Sequence, residues 1–198
     1  MPLARPQVDA AVAALVRAFD DSPIMRFLFP ENWVRRRGLT QFFRSIVLDA
    51  LPFGAVRSFV DGDAVIATAV WLPPGAWPQS TARQLRQLVT TPLLGPLKPG
   101  PLLRSLRYLR AVDRRHPHEP HWYLGLLGTD PPFQGRGLGR ALLEPVLERC
   151  DAEGLPAYLE TDKERNLAYY ARFRFELVET LTPVPGGPPT WTMLRAPR

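Results

Sequence analysis

Several residue types are scarce in this 198-residue sequence, and each scarcity excludes a class of protein. Cys150 is the one cysteine, so an internal disulfide cannot form and a reducing compartment is favoured. No apolar run approaches the roughly 20 residues that a membrane helix requires. The first residues lack the basic and then apolar order of a secretory signal. These absences predict a globular cytoplasmic protein that does not cross a membrane.

The basic residues are almost all arginines. Lys98 and Lys163 are the only lysines among 25 basic residues, and the formal net charge is +6. Arginine grips phosphates and carboxylates through paired hydrogen bonds, so an anionic partner is predicted, either a phosphorylated small molecule or nucleic acid. The chain length is typical of one domain, and we expect residues 1–198 to form a single one.

The periodicity of the apolar residues predicts the order of the elements. Helical spacing predicts helices over residues 8–19, 32–51, 80–89, 101–114, 138–153 and 166–173. Alternation and turn signals predict strands over residues 55–60, 64–72, 121–129, 155–161, 175–181 and 190–194. This order favours an α/β fold in which a mixed sheet carries helices on both faces.

The segment Gln134–Arg140, hereafter the glycine loop, carries the clearest chemical signal. It directly follows a predicted strand and opens a predicted helix. Its glycines let several N–H groups point into one concavity, and the positive end of the helix dipole adds to the attraction for an anion. Arg136 and Arg140 can add charge at the rim. The loop therefore predicts a phosphate or pyrophosphate site.

Other interpretations of the glycine loop fit less well. A Walker loop ends in Gly-Lys-Ser/Thr, which is absent. The dinucleotide fingerprint expects an acidic residue about 20 positions on, which Glu160 supplies, but it also expects its loop early in the chain. A tight strand-to-helix turn without a ligand stays open on glycine spacing alone.

Three segments resemble one family. Gln134–Gly139 resembles the Gln/Arg-x-x-Gly-x-Gly/Ala acyl-CoA loop of the GCN5-related N-acetyltransferases (GNAT). Leu127–Pro131 resembles the strand that precedes this loop, and Asn166–Phe175 resembles the family's Asn-x-x-x-Tyr-x-x-x-Gly-Phe segment. Thr129 replaces the usual valine, and Arg174 stands where the family has glycine, at a helix end that favours a left-handed backbone. The resemblance implies a mixed sheet whose central strands splay apart to receive acetyl-CoA.

The resemblance also implies residue roles. The pyrophosphate would lie on the glycine loop and the pantetheine arm along the preceding strand, so the implied cofactor-binding residues are Leu127, Gly128, Thr129, Gln134, Gly135, Arg136, Gly137, Leu138, Gly139, Arg140 and Asn166. Tyr170 takes the family's general-acid position, and the Leu127 N–H is the expected donor to the thioester carbonyl oxygen. Glu160 is the candidate base. Core packing stays open for Tyr170, and a structural salt bridge for Glu160.

The implied activity is acetyl transfer from acetyl-CoA to a primary amine of a small molecule. A non-catalytic acyl-CoA sensor of the same fold is the alternative, and a nucleic-acid-binding protein using the arginine surface is a third class. We expect no nucleic-acid or membrane partner, and homodimerisation is left open.

The substrate is expected to carry little positive charge. Residues 73–120 would form a variable helical insertion on the acceptor side, and Asp113 is the one acidic residue between positions 73 and 118. A polycationic acceptor would prefer a carboxylate-lined wall, so we expect a monoamine with an apolar or aromatic body. Its contacts would come from some of five aromatic residues, namely Phe27, Phe29, Trp33, Trp71 and Trp77.

The three histidines lie in one proline-rich stretch. Alternation would put His116 and His118 on the same side of an extended segment that leads to Glu119 and His121. The stretch lacks a paired His/Cys motif, so a surface loop is expected and no metal is assigned. Cys150 has no histidine partner positioned by sequence and is expected to be an inert thiol.

Overall fold

The structure is a computed structural model that describes residues 1–77 and 99–198. Its helices, numbered here in chain order, are α1 (Val8–Ala18), α2 (Pro23–Leu28), α3 (Asn32–Ala50), α4 (Pro99–Asp113), α5 (Leu138–Glu153) and α6 (Arg165–Ala171). Its strands are β1 (Val56–Asp61), β2 (Ala64–Leu72), β3 (Trp122–Thr129), β4 (Ala157–Thr161), β5 (Glu176–Leu181) and β6 (Thr190–Arg195). The helix predicted over residues 80–89 lies outside the described residues.

The predicted mixed sheet is confirmed. Its six strands follow the order β1-β2-β3-β4-β6-β5, and every neighbouring pair is antiparallel except β3 and β4. The parallel pair is short, because its register runs only from Trp122 opposite Ala157 to Leu124 opposite Leu159. Beyond that point the two strands continue without pairing. The opening between them, hereafter the gap, is the splay that the family resemblance implies.

Helices cover both faces of the sheet. On one face, α1 and α3 pack over β2 around a cluster that includes Leu15, Phe43 and Val70. On the other face, α5 packs through Leu143 and Leu147 in a second cluster. Each helix presents one apolar stripe, so the sheet is packed between two helical layers. The helices cover the faces of the sheet and leave the strand ends available for a site.

The close approach of α1 depends on Gly128. A Cβ placed on Gly128 would lie 2.8 Å from Leu15 Cδ2 and 3.0 Å from Ala18 Cβ. Real Cβ atoms do not come so close, so only glycine lets β3 and α1 pack at this distance.

Within the described ranges, no helix has the length and apolar character to cross a bilayer.

Two local features concern the helix ends. Helix α2 is missing from the sequence predictions, because six residues are too few to show a period. Ser22 caps its start by accepting a hydrogen bond from the Met25 N–H (3.2 Å).

Arg174 follows α6 with a φ of 67°, which confirms the left-handed backbone expected there. A side chain in this conformation costs about 1 kcal/mol, and the helix keeps its shape.

Candidate active site

The gap opens into a cavity of about 740 Å³. One part, hereafter the loop end, is bounded by Leu127, Thr129 and the glycine loop. The other part, hereafter the Glu160 end, is lined by Trp77, Tyr108, His116, Tyr123 and Glu160. The cavity therefore joins two chemically different regions through the opening between the central strands.

The free edge of β3 forms one wall of the gap. The Asp130 N–H donates to Ile66 O (2.8 Å) on the β2 side. Main-chain groups alternate in direction along a strand, so those of Leu127 and Thr129 point away from β2 and into the gap. Thr129 O indeed accepts a hydrogen bond from Gln134 Nε2 (3.0 Å). Within residues 1–77 and 99–198, no strand pairs with the Leu127 N–H on this side, since β4 pairs with β3 only as far as Leu124.

The glycine loop is shaped by two positive φ angles. Gly135 and Gly137 both have a φ of 78°, and a Cβ placed on either would meet no atom within 4 Å. The first helical hydrogen bond of α5 runs from Ala141 N to Gly137 O (3.1 Å), so the three preceding helical amides point out of the helix start. Backbone donors and open space together make a cradle for an anionic group.

Gly139 has a different role from the other loop glycines. A Cβ there would lie 2.5 Å from the Tyr169 hydroxyl. Gly139 therefore makes room for Tyr169, which is half-buried. The tyrosine hydroxyl reaches the start of α5 as a result.

The polar side chains around the loop are held in place by the protein. Arg136 lies over the Phe133 ring at 4.9 Å, and Arg140 Nε is 2.8 Å from Glu144 Oε1. Asn166 Nδ2 donates to Thr161 Oγ1 (2.8 Å). Arg140 and Asn166 line the cavity, whereas Arg136 is not part of its lining.

Tyr170 is both buried and part of the cavity wall. Its ring packs against Tyr169 and Phe175, with centroids 5.3 and 5.8 Å away. Burial, followed by the neighbouring Tyr169 and the Asp162 carboxylate, raises the pKa of Tyr170, so the phenol keeps its proton at neutral pH. Tyr170 is thus a protonated phenol that both packs in the core and lines the cavity.

Glu160 is a nearly buried carboxylate at the far end of the cavity. Its side chain is 9% exposed, and its Oε1 atom lies 3.5 Å from His116 Nδ1. Tyr108, Tyr123 and Tyr158 surround it. Burial and then the negative charge of Glu160 raise the pKa of each of these tyrosines, so all three stay protonated.

The histidine stretch is not the surface loop that the sequence predicts. His116 and His121 are buried and His118 is exposed, so the expectation that His116 and His118 share a side is wrong. The ring centroids of His116 and His121 are 4.7 Å apart, the ring planes are tilted by 51°, and the Nε2 atoms are 2.8 Å apart. The stretch after α4 folds back onto β3, which brings His116 beside Glu160.

The aromatic residues expected at the substrate only partly reach the cavity. Trp77 lines it, whereas Trp71 is fully buried in the core and Trp33 is 63% exposed. Tyr108 and Tyr123 line the Glu160 end and are absent from the sequence predictions. Simple alternation could not have placed Tyr123, because the irregularity of β3 at Gly125 puts Tyr123 and Leu127 on opposite faces of the sheet.

Two contacts join the elements on either side of the gap. Arg17 donates two hydrogen bonds to Asp130, from Nε at 2.9 Å and from Nη2 at 2.7 Å. Asp162 accepts from the Ser22 hydroxyl and from the Ile24 N–H (3.0 Å) at the start of α2. The helices before the sheet are therefore tied to both strand ends that border the gap.

Residues 105–175 match the model of the acetyltransferase (GNAT) family. The match contains β3, the glycine loop, β4 and α6. An uncharacterized N-acetyltransferase of Schizosaccharomyces pombe is 29% identical over 174 residues, which is 83% of this chain and 69% of that protein. Residues 105–175 are thus similar to this acetyltransferase family.

Solved structures share the whole architecture. A Corynebacterium glutamicum structure described as histone acetyltransferase HPA2 and related acetyltransferase has a TM-score of 0.71 at 21% identity and covers 100% of this chain and 95% of its own. The Drosophila melanogaster polyamine N-acetyltransferase, which catalyses the formation of N-acetylagmatine, has a TM-score of 0.66 at 19% identity and covers 96% and 95%. These likenesses show that the fold is the GNAT fold.

Proposed function

We propose that this chain, which has the GNAT fold and is similar to the acetyltransferase (GNAT) family over residues 105–175, transfers the acetyl group of acetyl-CoA to a primary amine of a small molecule. The gap between β3 and β4 carries the proposal. The loop end offers main-chain amides, and the Glu160 end offers a nearly buried carboxylate among aromatic rings. A thioester bound at the first end and an amine bound at the second could therefore meet in the gap.

The residues of the loop end fit an acyl-CoA molecule. The glycine loop would hold the diphosphate on its main-chain amides, and the space beside Gly135 and Gly137 admits a ligand where a Cβ would stand. The gap-facing groups of Leu127 and Thr129 would pair with the pantetheine amides, beside Asn166. Acetyl-CoA supplies the acetyl group as a thioester.

Tyr170 would act as the general acid. A phenol has a pKa near 10 and is protonated at neutral pH, so it has a proton to give to the thiolate as that group departs. The raised pKa of Tyr170 keeps its proton available until the C–S bond breaks. The Leu127 N–H would donate to the thioester carbonyl oxygen as negative charge develops there.

The Glu160 end would receive the amine. Aromatic rings line it, so an amine with one positive charge and an apolar or aromatic body fits better than a polycation. Glu160 is the carboxylate placed to accept a proton from that amine. The segments Glu119–Leu124 and Pro185–Met193 resemble puromycin N-acetyltransferase, so an aminonucleoside belongs among the amines tested.

Thiol release tests the proposal. The purified protein, acetyl-CoA and a panel of primary amines should release coenzyme A in proportion to the acetylated amine, with apolar or aromatic monoamines preferred over polyamines. Binding of coenzyme A without turnover of any amine would favour the sensor alternative. Salt-dependent DNA binding would support the nucleic-acid class. The cytoplasmic location and the single-domain organisation stay predictions.

A further inference from the structure

The outer side of α4 carries a row of exposed leucines. Leu103, Leu106 and Leu109 are 54%, 40% and 47% exposed, although leucine is ordinarily a buried residue. They recur at every third position, so they follow one another along the same side of the helix. Tyr108 lies on the opposite side of α4 and lines the cavity. The three leucines, hereafter the leucine row, therefore form a contiguous apolar strip on the surface, and such strips mark interaction sites.

A second row, of arginines, runs beside the leucine row. Arg107 and Arg110 each lie one helical turn after a leucine, and Arg114 follows one turn after Arg110. All three are exposed, and none of them is paired with a carboxylate among residues 1–77 and 99–198. Asp113 is the one acidic residue of α4. These three arginines, hereafter the arginine row, give the outer face of the helix a net positive charge.

Leucines and arginines side by side fit an anionic lipid surface. Leucine side chains gain free energy when they leave water for the boundary between headgroups and acyl chains, and arginines beside them meet the lipid phosphates. Helix α4 has 15 residues, so it can lie along the plane of a bilayer without crossing it. The charge of the arginine row is complementary to anionic headgroups and not to neutral ones.

Other occupants fit this face less well. A nucleic acid would contact the arginine row through its phosphates and leave the leucine row in water. A second copy of the chain, packed on the same face about a two-fold axis, would bring the arginine rows of both copies close together. An anionic bilayer gives each of the two rows a partner of suitable chemistry.

We propose that the leucine and arginine rows of α4 dock the protein on the surface of an anionic lipid bilayer, with the helix axis parallel to that surface. This docking departs from the expectation of no membrane partner, because the exposure of the leucines is a property of the fold that the sequence does not reveal. It is independent of the proposed acetyl transfer, since the contact with lipid requires no acetyl-CoA.

Docking of α4 would bring the cavity close to the bilayer. Leu109 belongs to the leucine row and also lines the cavity, as does Val112 one turn away on the same helix. Tyr108, between them and the sheet, lines the Glu160 end. An apolar amine dissolved in the bilayer would therefore have a short path to the Glu160 end.

Flotation with lipid vesicles tests the docking surface. The wild-type protein should bind vesicles of equal parts phosphatidylglycerol and phosphatidylcholine at least about tenfold more tightly than vesicles of phosphatidylcholine alone. Salt at about 0.5 M should weaken the binding to the anionic vesicles, because it screens the arginine row. Failure of the wild-type protein to bind the anionic vesicles at low salt would overturn the proposal.

Two double variants test the two rows separately. Leu103→Ser with Leu106→Ser removes apolar contacts, and Arg107→Gln with Arg110→Gln removes two positive charges. Each double variant should weaken binding to the anionic vesicles by about tenfold or more, because both the apolar and the electrostatic contribution are needed.

Matched controls remove the same kinds of group from other surfaces. Leu177→Ser with Val178→Ser takes two exposed apolar side chains from β5, and Arg36→Gln with Arg37→Gln takes two exposed arginines from α3. Both controls should bind the anionic vesicles within about threefold of wild type. Losses as large as those of the α4 variants would overturn the proposal, because any loss of apolar area or charge would then suffice.

Three further results would also overturn it. Undiminished vesicle binding by the leucine variant would mean that the arginines alone bind phosphates, as on a nucleic-acid surface. A dimer that ignores vesicles and that the leucine variant converts to a monomer, in analytical ultracentrifugation, would assign the face to a second copy. A lowered urea midpoint for the leucine variant would mean that these leucines pack within the fold.

An environment-sensitive fluorophore gives a measurement that does not depend on a loss of binding. Cys150 is buried, so a thiol-reactive label attaches selectively to the cysteine of Leu106→Cys. Its emission should move to shorter wavelength on the anionic vesicles, whereas the emission of a label on Val178→Cys should stay constant. Constant emission from the label on Leu106→Cys would contradict contact between the leucine row and the bilayer.

Discussion

The two ends of the cavity are built from different parts of the polypeptide. The loop end uses main-chain groups from one continuous stretch, Leu127–Arg140, in which two glycines at φ 78° set the backbone direction. The Glu160 end uses side chains from α4, β3, β4 and the segment after α4. A site built from main-chain groups can be identified from a short sequence pattern. A site built from side chains can be identified only once the tertiary fold is known.

This difference predicts how the two ends respond to substitution. Substitutions at the loop end should lower the acetylation rate of every amine by the same factor, because every amine receives its acetyl group from the same acyl donor. Changes at the Glu160 end should depend on the amine. Tyr170 lies at the gap between the two ends and should affect turnover without affecting the binding of coenzyme A.

The largest effect is expected for Tyr170→Phe. Loss of a general acid lowers rates by about 100- to 10,000-fold, so kcat should fall within this range for every amine. The affinity for coenzyme A, measured by calorimetry, should stay within about threefold of wild type, because the ring still packs against Phe175. Full turnover by this variant would remove Tyr170 from the mechanism.

A smaller effect is expected for Gly137→Ala. An alanine forced into a left-handed backbone costs about 1–2 kcal/mol, and part of this strain should be relieved by distortion of the glycine loop. We expect the affinity for coenzyme A to fall about tenfold, which corresponds to about 1.4 kcal/mol.

The matched control is Gly62→Ala in the hairpin between β1 and β2. Gly62 also has a positive φ, of 58°, and open space around its missing Cβ. This variant should lose similar stability and keep its affinity for coenzyme A. An equal loss of affinity in both variants would mean that general destabilisation, and not loop geometry, is being measured.

The contact between α1 and the end of β3 should matter for stability. Asp130→Asn weakens the paired hydrogen bonds from Arg17 to a nearly buried carboxylate. Arg17 itself is half-exposed, so the expected loss in the free energy of unfolding is limited to about 1–2 kcal/mol. Urea denaturation measures it.

Glu179→Gln serves as the comparison for Asp130→Asn. It breaks an exposed pair with Arg115 and should cost less than about 0.5 kcal/mol. Similar losses for the two variants would show that the Arg17–Asp130 contact is no stronger than a surface pair.

The smallest effect is expected from the pH dependence of stability. Burial lowers the pKa of His121, so the folded protein binds a proton there only at lower pH than the unfolded chain. Stability is therefore fully present above the ordinary histidine pKa of about 6.5 and declines as the pH falls below it. Denaturation series between pH 5 and pH 7 should show a flatter slope for His121→Gln and an unchanged slope for His118→Gln. An unchanged slope in His121→Gln would contradict this account of His121.

Much of the fold could be predicted from local patterns. The helix over Leu138–Glu153 has the predicted bounds, and the strand predicted over residues 64–72 is β2. Long periodic segments and glycine turns are local properties, so they can be predicted from the sequence without knowledge of the tertiary fold. The glycine loop belongs to this class, because the groups that it offers to a ligand lie in its own backbone.

The Glu160 end could not be predicted in the same way. Trp71 and Trp77 look alike in the sequence, yet one is core and the other lines the cavity. The position of His116 depends on how the segment after α4 folds onto β3, and local alternation therefore gave the wrong partner for it. Side chains that are far apart in the chain meet only through the packing of the sheet.

Amide NMR during a titration with coenzyme A tests the central claim most directly. If the backbone of Leu127, Thr129 and the glycine loop holds the acyl donor, the largest shift changes should fall on these amides, while those of α4 stay nearly constant. Saturating changes on the α4 amides with an unaltered glycine loop would contradict the account.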